Sequence, residues 1–157
     1  MKILTVYYSR TGITADVARA IHAALGGDLE EIKDTKNRSG IINFLYSGME
    51  AALKKPAKIQ PARHDPAAYD LVVIGTPVWA HNLSTPIRAY LERYKETFKG
   101  CAFFVTCGSS GAKKTLADME TLSGVKGKAL LALNNKEYNS GTFREKAKQF
   151  AGELLTL

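Results

Sequence analysis

Three short segments of this chain concentrate the residue types that hold phosphate groups and flat rings. The first is Ser9-Arg10-Thr11-Gly12-Ile13-Thr14. Ser9, Thr11 and Thr14 offer three hydroxyls and Gly12 allows a tight turn, between an apolar run and an amphipathic one. A helix starting there adds N–H groups not yet bonded within the helix and the positive end of its dipole. Such a turn cradles a phosphate. It lacks the Lys-Ser/Thr ending of a nucleoside-triphosphate loop and the three-glycine spacing of a dinucleotide fold, so a monophosphate is the expected guest. Without a ligand, the same residues would be a Ser/Thr-rich helix cap.

The second segment is Thr76-Pro77-Val78-Trp79-Ala80-His81-Asn82, which carries the only tryptophan. An indole at a ligand edge offers a large electron-rich face to a flat heteroaromatic ring, although a tryptophan at a strand end serves equally as packing. His81 reads as a loop residue bonded to water or backbone rather than as a proton donor. The third segment is Cys107-Gly108-Ser109-Ser110-Gly111. Its glycines and serines let the backbone approach a ring edge and present N–H groups to it. Cys107 reads as a small buried residue closing a strand, with no redox chemistry assigned to it.

These segments need a scaffold that brings them together, and the apolar periodicity supplies one. Extended runs at 3–8, 28–33, 71–76, 101–106 and 128–133 alternate with helical patterns at 14–25, 41–55, 86–98, 116–122 and 142–155. Thr142 is the expected N-cap of the last helix. Nearly continuous apolar strands separated by amphipathic helices predict a three-layer doubly wound α/β fold with a parallel sheet of five strands. In such a sheet, ligands bind beyond the carboxyl ends of the strands, where strand order reverses. All three segments follow strands. The stretch from Asp34 to Pro66 is the least regular, with a helix at 41–53 interrupted by Gly48 and followed by Pro56 and Pro61.

The 157 residues suit one domain, 1–157, and no linker, repeat or low-complexity tract divides them. No run reaches the roughly 18 apolar residues of a membrane helix, and the run at 3–8 is too short for a signal peptide, so a cytoplasmic protein without membrane insertion is expected. The two cysteines, Cys101 and Cys107, share one predicted strand with α-carbons about 20 Å apart, too far to bridge. They form no metal signature and fit a reducing compartment.

The net charge is +7. Seven bases, Lys33, Lys36, Arg38, Lys54, Lys55, Lys58 and Arg63, cluster between 33 and 64 against only Asp34 and Glu50. No helix-turn-helix or aromatic-interleaved basic motif accompanies them, so no nucleic acid is expected. The cluster reads as a solvated face that keeps the protein soluble, or as a contact surface for an acidic partner protein.

Taken in order, Tyr8 to Thr14, Gly75 to Ala80 and Gly108 to Gly111 resemble the flavodoxin family, with similarity spanning essentially the whole chain. The first segment matches the family's Ser/Thr-x-Thr-Gly-x-Thr phosphate loop at every defined position. The resemblance implies a short-chain member with strand order 2-1-3-4-5, FMN phosphate at Ser9 to Thr14, and the isoalloxazine between the Trp79 and Gly108 segments. It also implies an electron carrier working between a reductase and an acceptor protein, as a monomer or weak dimer, with no catalytic residue or metal. The chain departs from the pattern in being basic where flavodoxins are acidic, and in lacking a tyrosine in its third segment, which leaves one ring face open. Its second segment also lacks the glycine that lets a peptide flip toward flavin N5, leaving Asn82 as the residue suited to an unusual φ. The open face and the charge suit a second function, an NAD(P)H-dependent FMN reductase of quinones or related small acceptors.

Overall fold

Every residue of Ile3–Tyr7 is buried, as a strand covered on both faces must be, and its side chains divide by parity. Ile3 and Tyr7 enter one core, Leu4 and Val6 the other. The computed structural model describes residues 1–36, 39–54 and 57–156. Arg38, Lys55 and Pro56 lie outside the described residues.

The chain alternates β1 (Ile3–Tyr7), α1 (Ile13–Leu25), β2 (Asp28–Glu31), α2 (Ile41–Ala52), β3 (Leu71–Trp79), β4 (Asn82–Leu83), α3 (Thr85–Tyr94) and β5 (Cys101–Cys107). It then continues with α4 (Ala112–Ser123), β6 (Gly127–Asn134), α5 (Asn135–Asn139) and α6 (Phe143–Leu155). The main sheet runs β2-β1-β3-β5-β6, all neighbours parallel. With the two-residue β4 set aside, that is the expected order 2-1-3-4-5. The sixth strand is the addition: β4 pairs antiparallel with the end of β3.

Helices α1 and α6 cover one sheet face, where Val17, Ile21, Phe150 and Leu154 meet Leu71, Val73 and Phe104. On the other face, Ile87, Tyr90 and Leu91 of α3 and Met119 of α4 meet Val72, Ile74 and Phe103. Each face of the one sheet thus carries its own buried apolar cluster, as a sheet covered on both sides requires.

Several local expectations change. Strand β2 stops at Glu31 rather than Lys33. Helix α2 ends at Ala52 and runs through Gly48 without a break, since α-helical φ is open to glycine and its neighbours supply the turn. Thr142 stands at the start of α6 but its hydroxyl does not cap it, bonding Ser140 Oγ at 2.8 Å instead. Cys101 and Cys107 both lie in β5 and are free thiols, as their separation requires.

The irregular return after α2 is tied to β2 by one carboxylate. Glu30, only 3% exposed, accepts from the N–H of Arg63 at 2.6 Å, the N–H of His64 at 3.0 Å and pairs with His64 Nδ1 at 2.8 Å. Glu30→Ala removes the carboxylate that accepts all three bonds and leaves their donors without that partner. The expected loss is about 3 kcal/mol, which lowers Tm by roughly 6–12 °C for a chain of this size. Thermal unfolding followed by circular dichroism measures it, and Glu30→Gln should recover part of the loss.

Candidate functional site

The end of β1 turns into α1 through a glycine in the left-handed region. Gly12 has φ 100° and serves as the N-cap position with no side-chain cap, so the first turn of α1 presents its amides outward. The first intrahelical bond is Asp16 N–H to the Gly12 carbonyl, 3.0 Å. Ser9 Oγ accepts from Gly12 N–H at 3.1 Å and so ties the turn across its base. Thr14, 2% exposed, shares a hydroxyl–hydroxyl bond of 2.8 Å with Thr106 at the end of β5. The first turn of α1 is thereby tied to the end of β5, across β3.

The second segment is more ordered than a loop. Strand β3 continues through Pro77 and Val78 to Trp79, and Ala80-His81 then makes a two-residue reversal into β4, with Val78 opposite Leu83 and Trp79 opposite Asn82. Strand β1 ends opposite Gly75, so at Thr76 and Pro77 the strand paired with β3 is β5, and the missing N–H of Pro77 costs β1 nothing. Both turn residues have positive φ, 47° at Ala80 and 61° at His81. That is the sense of a type I′ hairpin, whose twist matches the flanking strands. The unusual φ therefore falls on Ala80 and His81 and not on Asn82. Asn82 is buried instead, its side-chain amide donating to the Ala80 carbonyl at 2.7 Å and accepting from Lys114 Nζ at 2.9 Å.

A cavity of about 340 Å³ opens where the three segments meet. Arg10, Thr11, Ile13 and Thr14 line it from the first segment, Pro77, Val78 and Trp79 from the second, Cys107 and Gly108 from the third. Phe44 of α2, Thr106 of β5 and Asn135 of α5 complete the wall. Trp79 is 5% exposed and meets Tyr8 edge-on, ring centroids 5.5 Å apart. Arg10 lays its guanidinium over the Phe44 ring, 4.5 Å from the centroid, while its Nε is buried with no hydrogen-bond partner among the described residues. A buried cationic donor beside uncapped helix amides is a place for an anion.

The remaining expected residues stand near the cavity without lining it. Thr76 is fully buried, bonding Ser84 Oγ and the Pro77 carbonyl, and thus serves the start of α3. Ser109 and Ser110 are exposed, with Ser110 Oγ 3.5 Å from His81 Nε2. Gly111 is needed for packing and for its φ of 89°, since a Cβ there would stand 2.9 Å from Val78 Cγ1.

Phe44, Thr106 and Asn135 were not singled out by the sequence. Thr106 reads as the last residue of a strand and Phe44 as one apolar residue of a distant helix. Asn135 had a usable signal, the Asn134-x-x-Glu137 capping box that starts a helix directly at the sheet's carboxyl edge.

Cys107 is 9% exposed, and burial, then the charge of Glu137, raises its thiol pKa above the ordinary value. Cys101 is deeper and pushed up to about 12 by burial. Both thiols should stay protonated at pH 8 and resist iodoacetamide in the folded protein, then react fully in denaturant; mass spectrometry of the carbamidomethylated chain reads the outcome. Among the described residues, no group of three or more His, Cys, Asp or Glu could hold a metal ion.

A parallel doubly wound sheet with a phosphate-type turn after β1, at the point where strand order reverses, defines a nucleotide-type binding protein. A flavodoxin family model matches residues 2–145, and the chain belongs to that family. No curated protein sequence matches it. Among solved structures, a flavoprotein from Lactobacillus acidophilus in complex with FMN is 24% identical with TM-score 0.73, over 90% of this chain and 98% of that one. A Bacteroides eggerthii protein assigned to the flavoproteins is 26% identical with TM-score 0.77, over 96% and 98% of the two chains. Oxidised flavodoxin 1 from Bacillus cereus shares the fold at 17% identity and TM-score 0.59, over 99% and 98%.

Proposed function

We propose that the chain binds FMN non-covalently in the cavity at the carboxyl edge of the sheet and carries electrons between a reductase and an acceptor protein. One observation carries the reading: α1 begins with an uncapped, glycine-turned N-terminus that opens into a cavity walled on its other sides by Trp79 and Gly108. The residues fit the group. The hydroxyls of Ser9, Thr11 and Thr14 and the amides from Gly12 to Thr14 would take the phosphate, with Arg10 adding charge. The isoalloxazine would lie between the β3–β4 hairpin, Thr76 to Asn82, and the Cys107 to Gly111 segment. Family membership and the neighbour crystallised with FMN support the choice of flavin.

Bound FMN would supply the one- and two-electron chemistry, while this chain's residues orient the ring, exclude water and set local charge. Protonated Cys107 is a neutral neighbour in that arrangement, not a redox group. The partners we propose are a reductase and an acceptor with acidic docking faces, met by a monomer or weak dimer. Lys54, Lys58 and Arg63 are exposed and suit such faces, whereas Lys33 and Lys36 pair with Glu31 and Glu50. Two reduced cysteines fit a cytoplasmic setting. Among the described residues, no helix is long and apolar enough to cross a membrane.

The test is an absorbance spectrum of the protein with FMN, then anaerobic addition of NADPH and, afterwards, dithionite. A bound-flavin spectrum that survives NADPH and bleaches with dithionite supports the carrier. Bleaching by NADPH alone would make the protein a reductase, and a spectrum identical to free FMN would end both readings.

A further inference from the structure

Helix α2 is built inside out. Ile41, Ile42, Leu45 and Met49 are 81%, 83%, 66% and 50% exposed, while Ser47 and Glu50 on the same helix are buried. An amphipathic helix ordinarily turns its apolar stripe to the core, so this one presents that stripe to something else. What it faces toward β3 is a concave space. A second cavity of about 270 Å³ is lined by Phe44, Leu45 and Gly48 of α2 and by Val78, Trp79 and Ala80 of the hairpin.

This space is contiguous with the proposed flavin cavity, because Phe44, Val78 and Trp79 line both. The two differ in chemistry. The first cavity has an arginine and threonine hydroxyls in its wall; the second has two aromatic rings, two branched aliphatic side chains, a methyl group and a glycine. Among the described residues, no side chain lining it can pair with a charge or donate a hydrogen bond, save the indole N–H. A charged or strongly polar occupant would be desolvated there without compensation. Dry apolar cavities of about 150 Å³ already take a benzene ring, so this volume admits a substituted or fused ring, and the flat walls of Phe44 and Trp79 favour a planar one.

We propose that this cavity is a second binding site, for a small, uncharged, apolar planar ring compound, held between α2 and Trp79 beside the flavin. The occupancy itself rests on the walls of the cavity and does not require FMN to be present. Its position does rest on the flavin reading for its use, since a ring seated there shares the Trp79 wall with the proposed cofactor.

Trp79 is the chain's single tryptophan, so its fluorescence reports on the wall that the two cavities share. The probe is duroquinone, whose fully methylated ring leaves no open carbon for a thiol to attack. Full-length protein, with and without FMN, is titrated with duroquinone, and N-acetyltryptophanamide serves as the collisional reference. The expected result is saturable quenching in both samples, absent from the reference. Gly48→Leu should weaken it at least about tenfold by filling the space, and should leave the FMN dissociation constant within roughly twofold. A Cβ at Gly48 meets no atom within 4 Å and its φ is ordinary, so the helix accepts the substitution. Leu45→Glu, at an exposed position, should weaken duroquinone comparably by placing a carboxylate in the wall.

Linear quenching equal to the reference would overturn the proposal, as would insensitivity to both substitutions. Competition between FMN and duroquinone, with Gly48→Leu weakening FMN too, would overturn it by making the two cavities one flavin site. A dimer in sedimentation velocity that blocks quenching would overturn it by giving the apolar face to a second copy. Failure of FMN to bind leaves its mark in the absorbance spectrum and not in the apoprotein titration, so the two readings fail separately.

Discussion

Thr11→Asp should bind FMN about a hundredfold more weakly than the parent chain while its affinity for riboflavin changes by less than roughly threefold. Thr11 is exposed and lines the cavity at the mouth of the α1 turn, so the substitution adds a carboxylate without disturbing the core. Two unit charges about 4 Å apart near a protein surface repel by up to about 4 kcal/mol; solvent at this exposed position screens some of that, and about 2.7 kcal/mol is the hundredfold. Riboflavin carries no phosphate for the carboxylate to repel. Titration of the apoprotein with each flavin, followed by flavin fluorescence quenching, measures the pair. Equal losses for both ligands would place the phosphate elsewhere, and a smaller FMN loss at high salt is expected because the repulsion is screened.

Gly75→Ala should cost about 3 kcal/mol or more. Gly75 lies in β3 opposite Phe104 of β5, and a Cβ built there would stand 1.9 Å from Phe104 Cζ and 2.3 and 2.4 Å from its two Cε atoms. Phe104 is fully buried in the α1–α6 core, where close packing resists a displaced ring. Urea unfolding reads the loss as a drop in midpoint at constant slope. Phe104→Leu in the same chain shortens the obstructing ring, so the double variant should be more stable than the sum of the two single losses, which identifies the collision as the cause. Additive losses would mean that the methyl group harms β3 in some other way.

Those two positions also show why some of this molecule could be read from its sequence and some could not. Strands β1, β3 and β5 are written as uninterrupted apolar runs, and only a sheet covered on both faces calls for that pattern. The turn at Gly12 was legible because hydroxyls, a glycine and a helix start coincide within six residues. Beyond Thr76, the local signals point the wrong way: Pro77 ordinarily ends a strand, and Ala-His is a poor sequence for two left-handed residues. The strand persists because β5 still pairs with it at Pro77, a tertiary fact with no local signature, and β4 then takes up Val78 and Trp79. Helix α2 was visible as a helix, but which side its apolar residues would face was not. Periodicity gives the width of a stripe and is silent about its neighbour. Phe44 enters the cavity wall through that orientation, and Arg10 meets it from 34 positions earlier in the chain.

The continuation of β3 into the hairpin has a thermodynamic side. Where a site is walled by loops, the ligand must freeze them, and each immobilised residue subtracts from affinity. Here β5 pairs with β3 as far as Pro77 and β4 pairs with Val78 and Trp79, so the ordering entropy of the wall that carries Trp79 is spent when the chain folds. Flavin association should therefore proceed in one fast step without a slow closing phase, and the heat of binding should report contacts and desolvation more than loop ordering.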